Sequence, residues 1–291
     1  MGDTTRAITH RFPGVETMEG AGVRLRRMFG NGQVPLFDPY LLLDNFGSSN
    51  PADYLAGFPW HPHRGIETVT YMLAGTVAHG DTLGNSGTIG PGDVQWMTAG
   101  SGIIHQEMPQ RTDGRLAGFQ LWVNLPAAAK MTTPAYRGLT GEEIPAVPLD
   151  HGGRVKIIAG RYASVEGPVR GLSVDPTYLD VELPAGEAFE FPTSPAHTAF
   201  AQTVAGAGHF DASDQPPTRP GETVLYGPGA RVAIRAGDAP LRFLLVTGRP
   251  LGEPVAWYGP IVMNRPDELE SAFRELRHGS FIRDRRPIVE E

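Results

Sequence analysis

FPWHPHRGIE, from Phe58 to Glu67, and its distant complement GIIHQEMP, from Gly102 to Pro109, decide how this chain is read. Successive side chains of a β-strand point to opposite faces, so His61 and His63 share one side of their strand, as do His105 and Glu107 of theirs. Two such strands facing each other in a small barrel offer three imidazoles and a carboxylate to one ion and leave coordination positions open. That donor set suits an octahedral divalent metal, Fe(II) first, while affinity ordering also admits Cu, Ni, Mn or Zn. The sequence has no cysteine, so thiolate ligation and disulfide bonding are both excluded.

The segments around these two stretches read as short strands. Glu67–Met72 alternates and is rich in β-branched and aromatic residues, and Gly75, Gly80, Gly84, Gly87, Gly90 and Gly92 punctuate the next segment at turn-like intervals. Upstream, Val23, Leu25 and Arg27 fall on one face before Gly30, Gly32 and Pro35 break the pattern, and Gly47–Pro59 forms a loop leading to the first histidine pair. Downstream, Leu116–Leu125 sets Phe119, Leu121 and Val123 against Gln120, Trp122 and Asn124, as a strand closing a barrel should.

The order HxHxxxE, a glycine eight residues later, PGD and a further histidine resembles the paired motifs of the cupin superfamily, carried here by His61, His63, Glu67, Gly75, Pro91, Gly92 and His105. The longer blocks HPHRGIETVTYMLAGTVAHGDTLGN, GPGDVQWMTAGSGIIHQEMP and GFQLWVNLP, with YGPIVMN toward the C-terminal end, resemble the pirin family. Between the blocks the similarity is loose, above all from Pro134 to His209. The resemblance implies an all-β architecture of two jelly-roll barrels in tandem, and a monomer. It also bears on the carboxylate. Glu67 shares the parity of His61 and His63 and would point with them on an unbroken strand, but in pirins the ligand is the residue matching Glu107. The expected metal ligands are therefore His61, His63, His105 and Glu107, with Glu67 behind them orienting an imidazole. Gln106, where many pirins carry Ser, lies between two ligands and should point away from the ion.

The same resemblance implies two functions. Some pirins cleave the flavonol quercetin with dioxygen, which makes this chain a candidate quercetin 2,3-dioxygenase for a small aromatic substrate such as a flavonol. In that reading Glu107 is also catalytic, taking the proton of the substrate hydroxyl that the metal polarises. Other pirins are regulators that bind a transcription factor or a metabolic enzyme, with iron as a redox-sensing element and no reaction of their own. A cavity able to seat a planar aromatic favours the enzyme. A buried, saturated ion behind a dry mouth favours the regulator.

With 291 residues, 37 of them Gly and 27 Pro, the chain suits two turn-rich β domains. The expected division is a metal-binding domain over 1–135, a linker over 136–150 and a second barrel over 151–291. Strands in the second half are expected at Val155–Ala159, Tyr178–Leu183, Ala199–Val204, Val224–Tyr226, Arg231–Ile234 and Leu241–Val246. This barrel should lack metal chemistry, since its histidines, His197 and His209, stand twelve residues apart and neither belongs to an HxH or HxE pair. The one helix, about 266–278, is marked by Leu269, Ala272, Phe273 and Leu276 at helical spacing, acids in its first turn, and Gly279 placed to cap it.

A net charge of −7 disfavours direct contact with nucleic acid. The first residues, MGDTTRAITHRF, have no apolar run, so neither a signal peptide nor a membrane anchor is expected, and a cytoplasmic location is. Trp60, Trp96 and Trp122 are able to line the cavity but, as aromatics on barrel strands, read first as core; His79 and Asp81 read as turn residues, and His10, His151 and His278 as surface.

Overall fold

The computed structural model describes residues 4–213 and 215–283. In chain order its first twelve strands are β1 (Ile8–Phe12), β2 (Val15–Glu19), β3 (Val23–Phe29), β4 (Tyr40–Ser48), β5 (Phe58–His63), β6 (Ile66–Ala74), β7 (Val77–Asp81), β8 (Ser86–Ile89), β9 (Val94–Thr98), β10 (Ile103–Pro109), β11 (Leu116–Asn124) and β12 (Ala135–Leu139). Their pairings are antiparallel throughout, as short strands linked by tight turns require.

The chain forms two compact units, and neither is continuous in sequence. The first comprises Val15–Glu142 with the described residues from Leu251 onward, and the second the described residues up to Gly14 with Glu143–Pro250. This differs from the division read in the sequence at both ends. β1 pairs with the strand Thr223–Tyr226 and so belongs to the second unit. The helix α1 (Pro266–Arg277) belongs to the first, because its apolar stripe packs with Ile261, Met263 and Phe281. The expected linker also holds strand: β12 pairs with β9 in the first unit, and Ala146–Pro148 pairs with Arg154–Ala159 in the second. Hydrophobic period shows that a segment has a face to bury but not which barrel buries it.

In the first unit a seven-stranded sheet, ordered β12-β9-β6-β11-β4-β3-β2, accompanies a four-stranded sheet, β5-β10-β7-β8. The change of sheet between β5 and β6 occurs at Arg64 and Gly65. Gly65 has a φ of +77°, and a Cβ there would lie 2.0 Å from the carbonyl oxygen of Val262, so only glycine fits. The C-terminal segment lies against this corner. Arg64 bridges to Ile261, the Val262 N–H donates to the Arg64 carbonyl at 3.1 Å, and Lys130 Nζ donates to the carbonyls of Gly65 and Val262 and to Asn124 Oδ1. Helix α1 closes as its sequence predicts. Gly279 has a φ of +71°, its N–H donates to Leu276, and that of Ser280 donates to Glu275, after which Phe281 is buried.

The second unit pairs a seven-stranded sheet with a three-stranded one, Ala188–Pro192, Arg231–Ala236 and Gly208–His209. All six strands expected there form. In its apolar core Phe189 and Phe210 each meet the Phe243 ring edge-on at 5.7 and 5.5 Å, among Val155, Leu179, Val181, Val232 and Leu245. No helix among the described residues is long and apolar enough to cross a membrane.

Candidate metal centre

The two decisive stretches are hydrogen-bonded neighbours in one sheet, not strands facing each other across a barrel. β5 and β10 run antiparallel with His61 directly opposite His105 and His63 opposite Ile103. Cross-strand partners hold their Cβ atoms about 5 Å apart, which brings an HxH strand and an HxE strand together without spanning a barrel. Their register slips between His105 and Glu107, where Glu107 faces Phe58, so that Pro59 and Trp60 form a bulge just before His61.

The ring centroids of His61, His63 and His105 lie 4.4 to 5.1 Å apart. One donor nitrogen from each falls within 4.8 Å of the others, the only such group of three or more histidine or carboxylate donors among the described residues. His61 Nδ1 is 2.9 Å from the Pro59 carbonyl oxygen and His63 Nδ1 is 3.2 Å from that of Pro260. A carbonyl only accepts, so both Nδ1 atoms carry the proton and both Nε2 atoms keep a free lone pair. His105 is 1% exposed, and neither of its ring nitrogens has a hydrogen-bond partner. An orphaned buried imidazole costs on the order of 1–3 kcal/mol, and a divalent cation would satisfy it. Burial holds the pKa of His63 and His105 well below the usual histidine value, reinforced at both by neighbouring imidazoles. These rings are neutral at pH 7, the form that binds a metal.

Glu107 shares the inward face of β10 with His105, while Gln106 between them is less buried. Its carboxylate is not part of the converging donor group. It accepts from Thr70 Oγ1 at 3.2 Å and from Gln120 Nε2 at 3.3 Å. Glu67 is elsewhere. It stands three residues from Thr70 on an unbroken stretch of β6, hence on the opposite face, where it accepts from Thr98 Oγ1 at 2.7 Å. Burial there raises its pKa against the effect of that bond. The expectation that Glu67 orients an imidazole is corrected: the turn at Gly65 moves the chain to the other sheet, and parity does not carry across it.

A cavity of roughly 550 Å³ opens onto His61 and His63. Its lining includes Phe58, Trp122 and Trp257 together with Gln120, Asp44 and Arg27. Trp122, which reads from sequence as core, stands edge-on to His63 at 5.1 Å between centroids and 5.7 Å from Trp257. Of the other tryptophans, Trp96 is buried and Trp60 is half exposed. Trp257 and Pro260 escape a sequence reading because they arrive from almost 200 residues away. Arg27 is visible in the sequence only as one member of an alternating face.

The Pirin family model matches residues 22–123, and the model of the Pirin C-terminal cupin domain matches residues 178–282. The chain belongs to the pirin family. A pirin-like protein of Caulobacter vibrioides is 47% identical over 95% of this chain and 99% of its own length. A protein of Pseudomonas aeruginosa provisionally named a quercetin 2,3-dioxygenase is 41% identical over 94% of this chain and 97% of its own. Among solved structures, one described as quercetin 2,3-dioxygenase from Acinetobacter baumannii superposes with a TM-score of 0.88 at 31% identity, covering 96% of this chain and 99% of that one. Pirin membership accounts for the cupin barrels and agrees with a cluster of histidines able to hold a divalent metal.

Proposed function

We propose that this pirin-family chain is a dioxygenase of the quercetin 2,3-dioxygenase type, acting on a flavonol with O2 at a single metal held by His61, His63, His105 and Glu107. The observation that carries this reading is the cavity. At roughly 550 Å³ it lies within the range of small-molecule sites, and it sets aromatic walls against two of the histidines. A regulator whose ion needs only to be sensed has no use for such a space. The provisional name of the Pseudomonas relative and the description of the Acinetobacter structure support the same reaction.

When bound, the metal, which we assign as Fe(II), supplies Lewis acidity to the substrate hydroxyl and a route for dioxygen. The remaining work falls to the chain. The Pro59 and Pro260 carbonyls fix the tautomers of His61 and His63, so that each ring presents Nε2. Thr70 and Gln120 orient the Glu107 carboxylate, which accepts the substrate hydroxyl proton on one oxygen. Trp122, Trp257 and Phe58 offer apolar surface to the planar substrate and exclude water. The reading carries with it a monomeric protein working in the cytoplasm.

The test is oxygen uptake by anaerobically purified, iron-loaded protein given quercetin, beside His61→Ala. Uptake that needs both metal and quercetin, and is absent in the variant, supports the dioxygenase. No uptake by protein whose iron is intact and reversibly oxidised refutes it and favours a redox-sensing regulator with a protein partner.

A further inference from the structure

The lining of the cavity carries charge that the chemistry at the histidines does not use. Arg27 donates from Nε to Asp44 Oδ1 at 2.9 Å and from one terminal nitrogen to Oδ2 at 2.8 Å, while its other terminal nitrogen lies 2.8 Å from Glu19 Oε1. Burial works against the charge on Arg27, but the bonds to Asp44 and Glu19 outweigh it and raise its pKa. All three residues line the cavity that reaches His61 and His63. The register of the seven-stranded sheet places them. Arg27 pairs with Asp44, Asp44 with Gln120, and Gln120 with Thr70. One cross-strand row thus runs from the side chains that hold Glu107 to Arg27, which stands two strands, or about 10 Å, from Gln120.

This row has a distinct recognition chemistry. One guanidinium against two carboxylates leaves a net charge of −1. Arg27 uses three of its five N–H groups in these bonds, and Glu19 Oε2 takes no part in the contact with Arg27, so donors and acceptors stand side by side. A hydroxyl group both donates and accepts, and it matches them. A carboxylate only accepts, and it meets like charge. A bare ring edge strips water from the polar groups and returns no hydrogen bond.

We propose that Arg27, Asp44 and Glu19 form a specificity site that selects a neutral aromatic ring bearing hydroxyl groups at the end of the ligand away from the histidines, and rejects a carboxylated one. This inference rests on reading the cavity as the substrate site. It makes the substrate class polyhydroxylated aromatics with a metal-binding hydroxyl at one end and a phenol at the other, and excludes aromatic acids.

The test is calorimetric titration of Zn(II)-loaded protein, which cannot turn over, with three flavones that share the 3-hydroxyl and differ only at the 4′ position: hydroxyl, hydrogen or carboxylate. The hydroxylated ligand should bind about 10-fold more tightly than the unsubstituted one, the worth of one matched polar contact, and the carboxylated ligand more weakly than either. Glu19→Gln removes the excess negative charge and should narrow the carboxylate penalty several-fold. The paired change Arg27→Met with Asp44→Leu, made together with Glu19→Ala, removes all three charges, leaving none buried alone, and should bring hydroxylated and unsubstituted ligands to within about two-fold. Equal binding of those two by the wild type, a preference that survives the triple change, or no binding by any of the three overturns the inference. Oxygen uptake by the iron-loaded protein reports separately on the reaction. Discrimination without uptake would sink the dioxygenase and leave the specificity site standing.

Discussion

Arg64 offers a direct measure of how firmly the C-terminal segment is attached to the strand that carries the histidine pair. It follows His63, is 2% exposed, and donates to the carbonyls of Ser101 at 2.7 Å and Phe281 at 2.9 Å and to Glu275 at 2.8 Å. Its guanidinium carbon lies 4.2 Å from the centre of the Phe281 ring. Arg64→Met keeps the stem and deletes the head. Two carbonyls then lose a charged donor, at about 1–3 kcal/mol each, and a cation–π contact worth about 0.5–2 kcal/mol is lost. Glu275 loses little, because it stays paired with Arg283 at 2.8 Å. Against this, an ion no longer has to be buried, and burial is what lowers the Arg64 pKa. We expect a net loss of about 3–4 kcal/mol. Urea unfolding of the metal-free protein, followed by tryptophan fluorescence, reads the relevant unit selectively, since Trp60, Trp96, Trp122 and Trp257 all lie in the first unit. A loss below about 1 kcal/mol, within the range of an exposed ion pair, would refute the reasoning.

His105→Leu should abolish most metal retention in elemental analysis, yet stabilise the metal-free protein by about 1 kcal/mol, because it removes two unpartnered buried nitrogens. Lys130 gives a pH signature. Burial lowers its pKa from the ordinary lysine value to about 7, opposed by Glu253 and Glu268. Between that value and about 10.4 the unfolded chain binds the extra proton, so stability should rise with pH there. The rise should be smaller in Lys130→Met by that one group's share, in the same fluorescence-detected unfolding.

Much of the site is legible in the sequence because its signal is local. Period-two spacing places His61 with His63 and His105 with Glu107, and helical spacing followed by a glycine places α1 and its cap. Sequence and structure part where geometry turns on what a residue meets. A parity count puts Glu67 on the wrong face because it counts residues and ignores a turn such as that at Gly65. Trp122 reads as core because an aromatic on an inward face looks the same whether it packs on carbon or borders a cavity. Spacing pairs Glu107 with His105, but that Thr70 and Gln120, on two other strands, hold its carboxylate is seen only in the fold. Arg27 and Asp44 lie seventeen residues apart in segments with no shared motif, and only the register of β3 against β4 joins them.

The interleaving of the two units constrains how the chain can be made and cut. Ribosomal synthesis delivers all three histidines well before residues 251–283, yet the carbonyl that orients His63 and the partners that anchor Arg64 include Pro260, Glu275 and Phe281. A nascent chain therefore has its ligands early and their support late, and metal loading should follow synthesis of residues 251–283. In the same way no single cleavage yields two whole barrels. An excised 143–250 fragment would leave the Thr223–Tyr226 strand without its β1 neighbour, an open sheet edge ready to pair with another copy.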